Sequence, residues 1–176
     1  VQFRNCATVG GSIFGRFGFS DVLTVFLAMD TQVELYHAGM VPLKDFVDMP
    51  YDNDILIALH VAKKPIRIAY LSQRNTATDF PVIACAVSEY DDTLHVSIGA
   101  RPVHAGLIEL PLSSAKPDGF GKQFPKGFEK DETLVKELAI WCADQFTYGS
   151  NRRAGADYRK HVAGVLIRRA ICSFGK

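Results

Sequence analysis

The sequence predicts an α+β protein in which antiparallel strands pack against helices. Short apolar runs of strand length fill the middle of the chain, and two of them flank the turn-like segment Tyr90-Asp91-Asp92-Thr93. Two segments with apolar residues at helical spacing close the chain. Strands followed by helices, rather than alternating with them, are typical of the α+β class.

The first part of the chain combines glycine-rich sequence with short elements. Ser20 and Asp21 precede the apolar run Val22–Met29, and either side chain is a suitable cap for a short helix there. The remaining predicted elements of this part are a strand at Val33–Tyr36, a turn and short helix at Val41–Val47, and a largely buried strand at Ile55–Val61.

Lys63-Lys64-Pro65 interrupts the apolar pattern and predicts a boundary between two domains, 1–64 and 65–176. Beyond it we expect a three-stranded antiparallel sheet, an exposed connector at Leu112–Lys130 and two helices. The predicted strands are Ile66–Leu71, Val82–Val87 and Leu94–Ile98. Apolar residues at i, i+4, i+7 and i+8 mark the helices: Leu134, Leu138, Trp141 and Cys142 in the first, and Tyr158, Val162, Val165 and Leu166 in the second.

Composition argues against several classes of partner. The net charge is +1, from 20 basic and 19 acidic side chains, which gives no reason to expect nucleic acid or a membrane as a partner. The five histidines lack ligand spacing, so no metal site is predicted. The four cysteines are far apart, which favours free thiols, ordinarily buried, in a reducing cytoplasm. Four basic residues are expected to form a solvated face, or alternatively to dock a partner: Arg159, Lys160, Arg168 and Arg169.

The segment Arg4–Ile13 carries the most informative motif. Gly10 and Gly11, with Thr8 before them and Ser12 after, suit a concave set of backbone N–H groups that holds an anion such as a pyrophosphate. A tight turn is the structural alternative, and it stays open. The spacing differs from the dinucleotide-binding G-x-G-x-x-G motif, and no G-x-x-x-x-G-K-[ST] loop occurs.

Taken with Ser20-Asp21 and the apolar run that follows, this motif resembles the second flavin-binding motif of the FAD-binding subunits of molybdenum hydroxylases. Xanthine dehydrogenase and carbon monoxide dehydrogenase belong to that family. The similarity continues in order along the chain, at Val41-Pro42-Leu43, Phe46, Asp54–Ile57, Ile98–Pro102 and Asp157–Ala170. The resemblance implies a second FAD-binding subdomain, incomplete and built of antiparallel strands with short helices, followed by the C-terminal domain of that subunit.

The resemblance also implies roles for individual residues, and none of these is a general acid, base or nucleophile. Thr8, Gly10, Gly11 and Ser12 would hold the pyrophosphate and ribityl region of FAD, Asp21 with Ser20 beside it would accept a hydrogen bond from a flavin N–H, and Leu56 would lie over the isoalloxazine. Each has a structural alternative. Asp21 is a good helix cap, Thr8 and Ser12 can satisfy turn amides, and Leu56 can be ordinary core.

The implied function is electron relay through FAD. A molybdenum-binding large subunit oxidises the substrate, a small subunit with 2Fe–2S clusters passes electrons to FAD, and FAD passes them to NAD or another acceptor. Two alternatives come from other classes. One is a non-catalytic assembly domain that does not bind flavin, and the other is a small anion-binding module that uses the Gly10-Gly11 turn.

The sequence departs from the family pattern at several positions. Ser12 stands where Asn is common, Leu71 replaces a lysine near the flavin, and Arg74 does not align cleanly with the family's arginine. The family's first Gly-Gly loop does not occur in this sequence. We therefore expect the chain to correspond to the C-terminal part of the subunit, and to bind FAD weakly or not at all when isolated.

Overall fold

The computed structural model describes residues 5–113 and 120–175, which form two antiparallel sheets with helices. Arg4, the first residue of the glycine motif, and residues 114–119 of the predicted connector lie outside the described residues. Each sheet has its own buried apolar cluster. This arrangement confirms the predicted α+β class.

The first sheet is three-stranded, with the order β2-β1-β3 and antiparallel pairing throughout. Helices α1 (Val9–Phe14) and α2 (Asp21–Leu27) precede it, and α3 (Leu43–Phe46) lies between its last two strands. The strands are β1 (Thr31–Leu35), β2 (Gly39–Pro42) and β3 (Leu56–Val61). The core beneath them includes Ile13, Leu23, Val33 and Phe46.

Strand β3 exists as predicted, but the expectation that it is largely buried is wrong. Ile57 is 55% exposed, and Ile55, just before the strand, is 62% exposed. The strand lies at the sheet edge, and its register with β1 shifts near Leu35. An irregularity of this kind turns side chains away from the face that strict alternation would give them.

The second sheet has four strands in the order β4-β5-β6-β7 instead of the predicted three. They are β4 (Arg67–Arg74), β5 (Pro81–Tyr90), β6 (Thr93–Gly99) and β7 (Gly106–Pro111). The predicted hairpin joins β5 to β6, and Asp91 and Asp92 both have positive φ, at 48° and 56°. Paired positive φ values match the twist of a two-residue hairpin, and Asp tolerates that conformation.

Two helices cover the second sheet, α4 (Glu132–Asp144) and α5 (Ala156–Ser173), with a 3₁₀ turn (Phe128–Lys130) before α4. The buried stripe of α5 runs through Ala163, Leu166, Ile167, Ala170 and Ile171. Tyr158, expected on this stripe, is 50% exposed. The helices therefore exist as predicted, but the apolar face of α5 is rotated relative to the predicted one.

Arg159 does not belong to a solvated face, which corrects the prediction for this residue. It is 1% exposed, and its guanidinium lies between the β5 start, the β6 end and the 151–154 turn. Nη1 donates to the carbonyl oxygens of Val82 and Ala100, and Nη2 donates to Oδ1 of Asn151. Backbone carbonyls replace water around the charge, which makes its burial tolerable. Arg168 and Arg169 on the same helix are exposed, as predicted.

The two sheets meet through close backbone approaches. A Cβ on Gly99, at the end of β6, would overlap Oγ1 of Thr24 in α2. Likewise, a Cβ on Gly18 would lie 2.6 Å from the carbonyl oxygen of Val103. The N–H of Ala100 also donates to the carbonyl of Gly18 at 2.5 Å. The segment that follows β6 thus fixes where the glycine-rich loop before α2 lies.

Cysteine burial follows the prediction only in part. Cys85 and Cys142 are buried and Cys172 is half-buried, whereas Cys6 is exposed. All four are free thiols. Burial raises the pKa of both Cys85 and Cys142, so these two thiols are unreactive core residues.

Candidate functional site

An open cleft of about 1070 Å³ lies where the glycine-rich first segment faces the second sheet. The start of α1, the 17–22 segment, β4 and the 78–80 loop line it, together with Arg153. Five predicted site residues contribute to this lining: Thr8, Gly11, Ser12, Ser20 and Asp21. The volume is of the size that binds cofactors, at or slightly above the usual range of small-molecule pockets.

The glycine motif begins a helix rather than forming a loop with positive φ. Thr8 is the N-cap of α1, and its Oγ1 accepts a hydrogen bond from the N–H of Gly11 at 3.0 Å. Oγ of Ser12 donates to the carbonyl of Thr8 at 2.9 Å. Both hydroxyls therefore satisfy local backbone groups, which is the structural alternative raised by the sequence.

Gly11 is constrained by its surroundings. A Cβ there would lie 3.0 Å from Oγ1 of Thr8, so a larger side chain would press on the capping hydroxyl and change the cleft wall. Within the helix, the first-turn N–H groups have no acceptor. Gly11 meets this need with the Thr8 hydroxyl, which accepts from its N–H.

Gly10 and Leu56, two further predicted site residues, do not line this cleft. A Cβ on Gly10 would lie 3.8 Å from Cδ2 of Leu56, so the two residues face each other across the contact between α1 and β3. Leu56 packs against the core of the first sheet. The structure therefore separates these two residues from the cleft lining and brings the other five together.

Ser20 joins the two helix starts that border the cleft. Its Oγ accepts from the N–H of Leu23 at 3.1 Å and donates to the carbonyl of Ser12 at 3.2 Å. Ser20 is therefore the cap of α2, and Asp21 is the first residue of the helix. Of the two residues that the sequence offered as caps, Ser20 is therefore the one that caps α2.

Asp21 is held by two side chains from β4 that sequence reasoning did not assign to the site. The hydroxyl of Tyr70 donates to Oδ1 at 2.5 Å, and Nη2 of Arg74 donates to Oδ2 at 2.7 Å. Burial and the neighbouring carboxylate raise the pKa of Tyr70, so its phenol remains a donor. Although burial lowers it, contact with Asp21 raises the pKa of Arg74 overall.

An aromatic wall, Phe17, Phe19 and Phe80, forms another part of the lining. The rings of Phe17 and Phe19 stack at 5.4 Å, and that of Phe80 lies 4.4 Å from Phe19. The guanidinium of Arg153 lies over Phe80, 5.3 Å from its centroid, and pairs with Asp79 at 2.9 Å. All three phenylalanines are more than 40% exposed, so they give the cleft an accessible aromatic surface.

The cleft thus offers hydrogen-bonding groups at Asp21, aromatic side chains and the N-terminal end of α1. It contains no arrangement of a nucleophile with an adjacent base among these lining residues. The described part of the chain also holds no cluster of ligating side chains suited to a metal ion. Among residues 5–113 and 120–175, none of the helices is long and apolar enough to cross a membrane.

Alternation along β4 is the signal that could have identified Tyr70 and Arg74. Ala69 and Leu71 pack into the core of the second sheet. Residues 70, 72 and 74 therefore share the opposite face. What the sequence could not supply is the neighbour of that face, because Asp21 lies about fifty residues earlier in the chain.

Residues 1–63 match the family model of the FAD binding domain in molybdopterin dehydrogenase. No curated protein sequence matches the chain. The segment matched by the family includes all of the predicted site residues, from Thr8 to Leu56.

Solved structures share the fold over almost the whole chain. Carbon monoxide dehydrogenase from Hydrogenophaga pseudoflava, in a form that lacks the Mo-pyranopterin moiety of the molybdenum cofactor, is 21% identical, with a TM-score of 0.75 over 97% of this chain and 61% of that one. Quinoline 2-oxidoreductase from Pseudomonas putida 86 is 15% identical, with a TM-score of 0.76 over 98% and 62%. Reconstituted CO dehydrogenase from Oligotropha carboxidovorans is 18% identical, with a TM-score of 0.76 over 97% and 61%.

This chain spans about three fifths of the length of those solved chains. Because their sequence identities are low, the similarity to these structures establishes only the fold. The family model concerns residues 1–63. Both findings agree with the resemblance found in the sequence: residues 1–63 match the FAD binding domain in molybdopterin dehydrogenase, and the chain shares the fold of these solved structures.

Proposed function

We propose that the chain is the flavin-holding part of a molybdenum-hydroxylase-type oxidoreductase, and that the cleft beside α1 and α2 receives FAD. The observation that carries this proposal is the gathering of Thr8, Gly11, Ser12, Ser20 and Asp21 in one cleft, within the segment that matches the FAD-binding family model. These are five of the seven residues that the family resemblance implied, and they line one surface.

The residues present fit a flavin dinucleotide in chemistry and size. A dinucleotide needs space, a surface for a planar ring, an acceptor for the ring N–H and donors for its phosphates. The cleft has a volume of about 1070 Å³, the aromatic wall, the Asp21 carboxylate and the N-terminal end of α1, where backbone N–H groups are the donors. Gly10 and Leu56 would act from behind this surface, Gly10 through its backbone and Leu56 by packing under α1.

When bound, FAD supplies the ability to accept electrons singly and release them in pairs. The protein's own residues bind and orient it. Ser20 locks the start of α2 to α1, which holds the Asp21 carboxylate at a fixed distance from the glycine motif. The aromatic wall would keep water from one face of the ring. No residue of the cleft has to move a proton for such a relay.

Support for the wider assembly comes from the relatives. The solved structures that share this fold are named as carbon monoxide dehydrogenase, one lacking part of its molybdenum cofactor, and quinoline 2-oxidoreductase. By analogy we propose a cytoplasmic complex with a molybdenum-binding large subunit and a small subunit with 2Fe–2S clusters. We further propose that this complex is of the xanthine dehydrogenase type and that NAD is its electron acceptor.

A matched pair of glycine variants tests the function. FAD is titrated into the wild-type chain, Gly11→Val and Gly155→Val, with flavin fluorescence anisotropy as the readout. Gly11 lines the cleft, whereas Gly155 is exposed at the start of α5, with nothing within 4 Å of an added Cβ. We expect Gly11→Val to weaken FAD binding roughly tenfold or more, and Gly155→Val to leave it unchanged. Measurable FAD binding with equal affinity for all three proteins would refute the proposal.

A non-catalytic assembly domain is the second candidate, and one observation favours it. The hydroxyls of Thr8 and Ser12 already serve the first turn of α1 instead of facing a ligand. If this candidate is correct, the chain binds iron–sulfur and molybdenum subunits of a related complex in a pull-down while its flavin absorbance stays at baseline. Flavin absorbance that co-purifies with the assembled complex and is lost in Gly11→Val would reject it.

A further inference from the structure

The aromatic wall of the cleft is built from two distant parts of the chain. Phe17 and Phe19 precede α2, whereas Phe80 precedes β5. The ring centroids of Phe19 and Phe80 lie 4.4 Å apart. Their spacing therefore depends on the contacts that fix the glycine-rich loop and the start of β5 relative to each other.

The loop that carries Phe17 and Phe19 is held from the end of β6. The N–H of Ala100 donates to the carbonyl of Gly18, between the two phenylalanines, at 2.5 Å. Ala100 has a φ of 59°, a left-handed conformation that residues with a Cβ rarely adopt. Such a conformation persists where the surroundings fix it. Nη1 of Arg159 supplies one of the fixing contacts, since it donates to the carbonyl of Ala100 at 2.7 Å.

The same guanidinium holds the side of the wall that Phe80 forms. Nη1 of Arg159 also donates to the carbonyl of Val82, near the start of β5. Nη2 donates to Oδ1 of Asn151 at 2.5 Å, and this oxygen also accepts from the N–H of Arg153 at 2.9 Å. The guanidinium of Arg153 in turn lies over the ring of Phe80. One side chain thus contacts both the strand that follows Phe80 and the turn that places Arg153 against it.

We infer that Arg159 is a positioning residue for the cleft: it fixes the spacing between the two halves of the aromatic wall, and thereby sets the affinity of the cleft for a planar aromatic ligand such as a flavin. The flavin part of this inference rests on the proposed function. Arg159 does not line the cleft itself, so it acts through Ala100 and Asn151 rather than by touching a ligand. It lies on α5, outside the segment that matches the family model.

The shape of the guanidinium explains why an arginine suits this position. Its planar fork directs several N–H donors in fixed directions, so that one side chain holds carbonyl groups of separate strands and a turn at once. A lysine has the same charge, but its single ammonium on a flexible stem cannot span the same acceptors. Arg159 is 1% exposed, so water does not compete for these contacts. A binding surface that is fixed in advance loses less conformational entropy when a ligand binds.

Two readouts test the inference, one for the wall and one for the ligand. The nuclear Overhauser effect between ring protons of Phe19 and Phe80 reports the wall, and flavin fluorescence anisotropy reports FAD binding. Arg159→Lys is compared with Arg168→Lys, at an exposed position on the same helix. We expect Arg159→Lys to lose the Phe19–Phe80 effect and to bind FAD roughly tenfold more weakly, and Arg168→Lys to match the wild type in both.

Asn151 provides a second pair of variants, in case Arg159→Lys folds poorly by circular dichroism. This residue is exposed, and its Oδ1 accepts from Nη2 of Arg159 and from the N–H groups of Arg153 and Ala154. Asn151→Asp keeps an acceptor oxygen there, whereas Asn151→Ala removes it. We therefore expect Asn151→Ala to weaken both the ring contact and FAD binding, and Asn151→Asp to retain them. A role in stability alone would leave both readouts unchanged in the folded variants.

Each readout can contradict the inference by itself. An unchanged Phe19–Phe80 effect in folded Arg159→Lys or Asn151→Ala would overturn it, whatever the FAD affinity. Loss of that effect with FAD bound as tightly as by the wild type would overturn it too, and would leave the flavin function standing. The ring contact is measured without ligand, so it decides the positioning role even for a chain that binds FAD weakly, while Gly11→Val tests the proposed function separately.

Discussion

Replacing Arg159 with Met should destabilise the C-terminal part of the molecule strongly. Met preserves most of the side-chain length but removes the guanidinium, which donates to the carbonyls of Val82 and Ala100 and to the side chain of Asn151. Val82 is fully buried and Ala100 is 5% exposed, so water cannot replace the lost donor at either carbonyl. This environment makes Arg159 a structural residue rather than a surface charge.

The magnitude follows from the two buried carbonyls. Each buried acceptor left unpaired costs about 1–3 kcal/mol, and the apolar gain from Met offsets a part of that cost. We therefore expect Arg159→Met to lower the free energy of unfolding by about 2–5 kcal/mol. Arg168 lies on the same helix and is exposed, so Arg168→Met should change it by less than about 0.5 kcal/mol.

Urea unfolding followed by circular dichroism measures both variants against the wild type. Arg159→Met should shift the midpoint to markedly lower urea, with Arg168→Met overlapping the wild-type curve. If the two variants unfold within about 0.5 kcal/mol of each other, the carbonyls around Arg159 do not depend on its guanidinium, and the structural role assigned here is wrong.

Three further changes test other contacts. Ser20→Ala removes the cap of α2 and should lower the free energy of unfolding by about 1 kcal/mol in a urea titration, whereas Ser20→Asp should retain most of it. Gly99→Ala places a Cβ against Oγ1 of Thr24 and should lower the free energy of unfolding by about 1–3 kcal/mol. Adding Thr24→Ala should restore part of this loss, whereas strictly additive effects of the two substitutions would count against a steric clash. Burial lowers the pKa of His95, so its stabilising neutral form is lost as pH falls below the unfolded value of about 6.5, and the melting temperature should drop toward pH 5. His95→Phe preserves a ring stacked on Tyr90 and should show a smaller drop in melting temperature toward pH 5. Equal drops in the variant and the wild type would refute the assignment of this pH dependence to His95.

Local chemistry explains which elements the sequence predicted well. The β5–β6 hairpin follows from Asp91-Asp92 between two apolar runs, because only a few residue types accept the backbone of such a turn. Helix α2 follows from Ser20 before an apolar run. Strand β7 was missed, since Gly106–Pro111 is short and its side chains alternate poorly between buried and exposed. The burial of β3 was overestimated because position in the sheet, which periodicity does not report, decides it.

The errors at Arg159, Tyr70 and Arg74 have a common physical origin in tertiary contacts. A charged residue is expected at the surface, yet Arg159 lies at the i−4 position of Ala163 and the i−7 position of Leu166, on the buried stripe of α5. The helical spacing alone could therefore have predicted that Arg159 is buried. Tyr70 and Arg74 had only the weaker signal of a shared strand face, since their partner Asp21 is distant in sequence.

The location of bound FAD is the most direct test of the proposed function. Backbone amide resonances of the ¹⁵N-labelled chain are recorded as FAD is added to a concentration that allows for weak binding by this part of the subunit. We predict saturable shifts at Gly10, Gly11, Ser12 and Asp21 and along β4 near Tyr70, with the amides of α4 unmoved. Saturable shifts confined to other surfaces would contradict the assignment of this cleft to flavin.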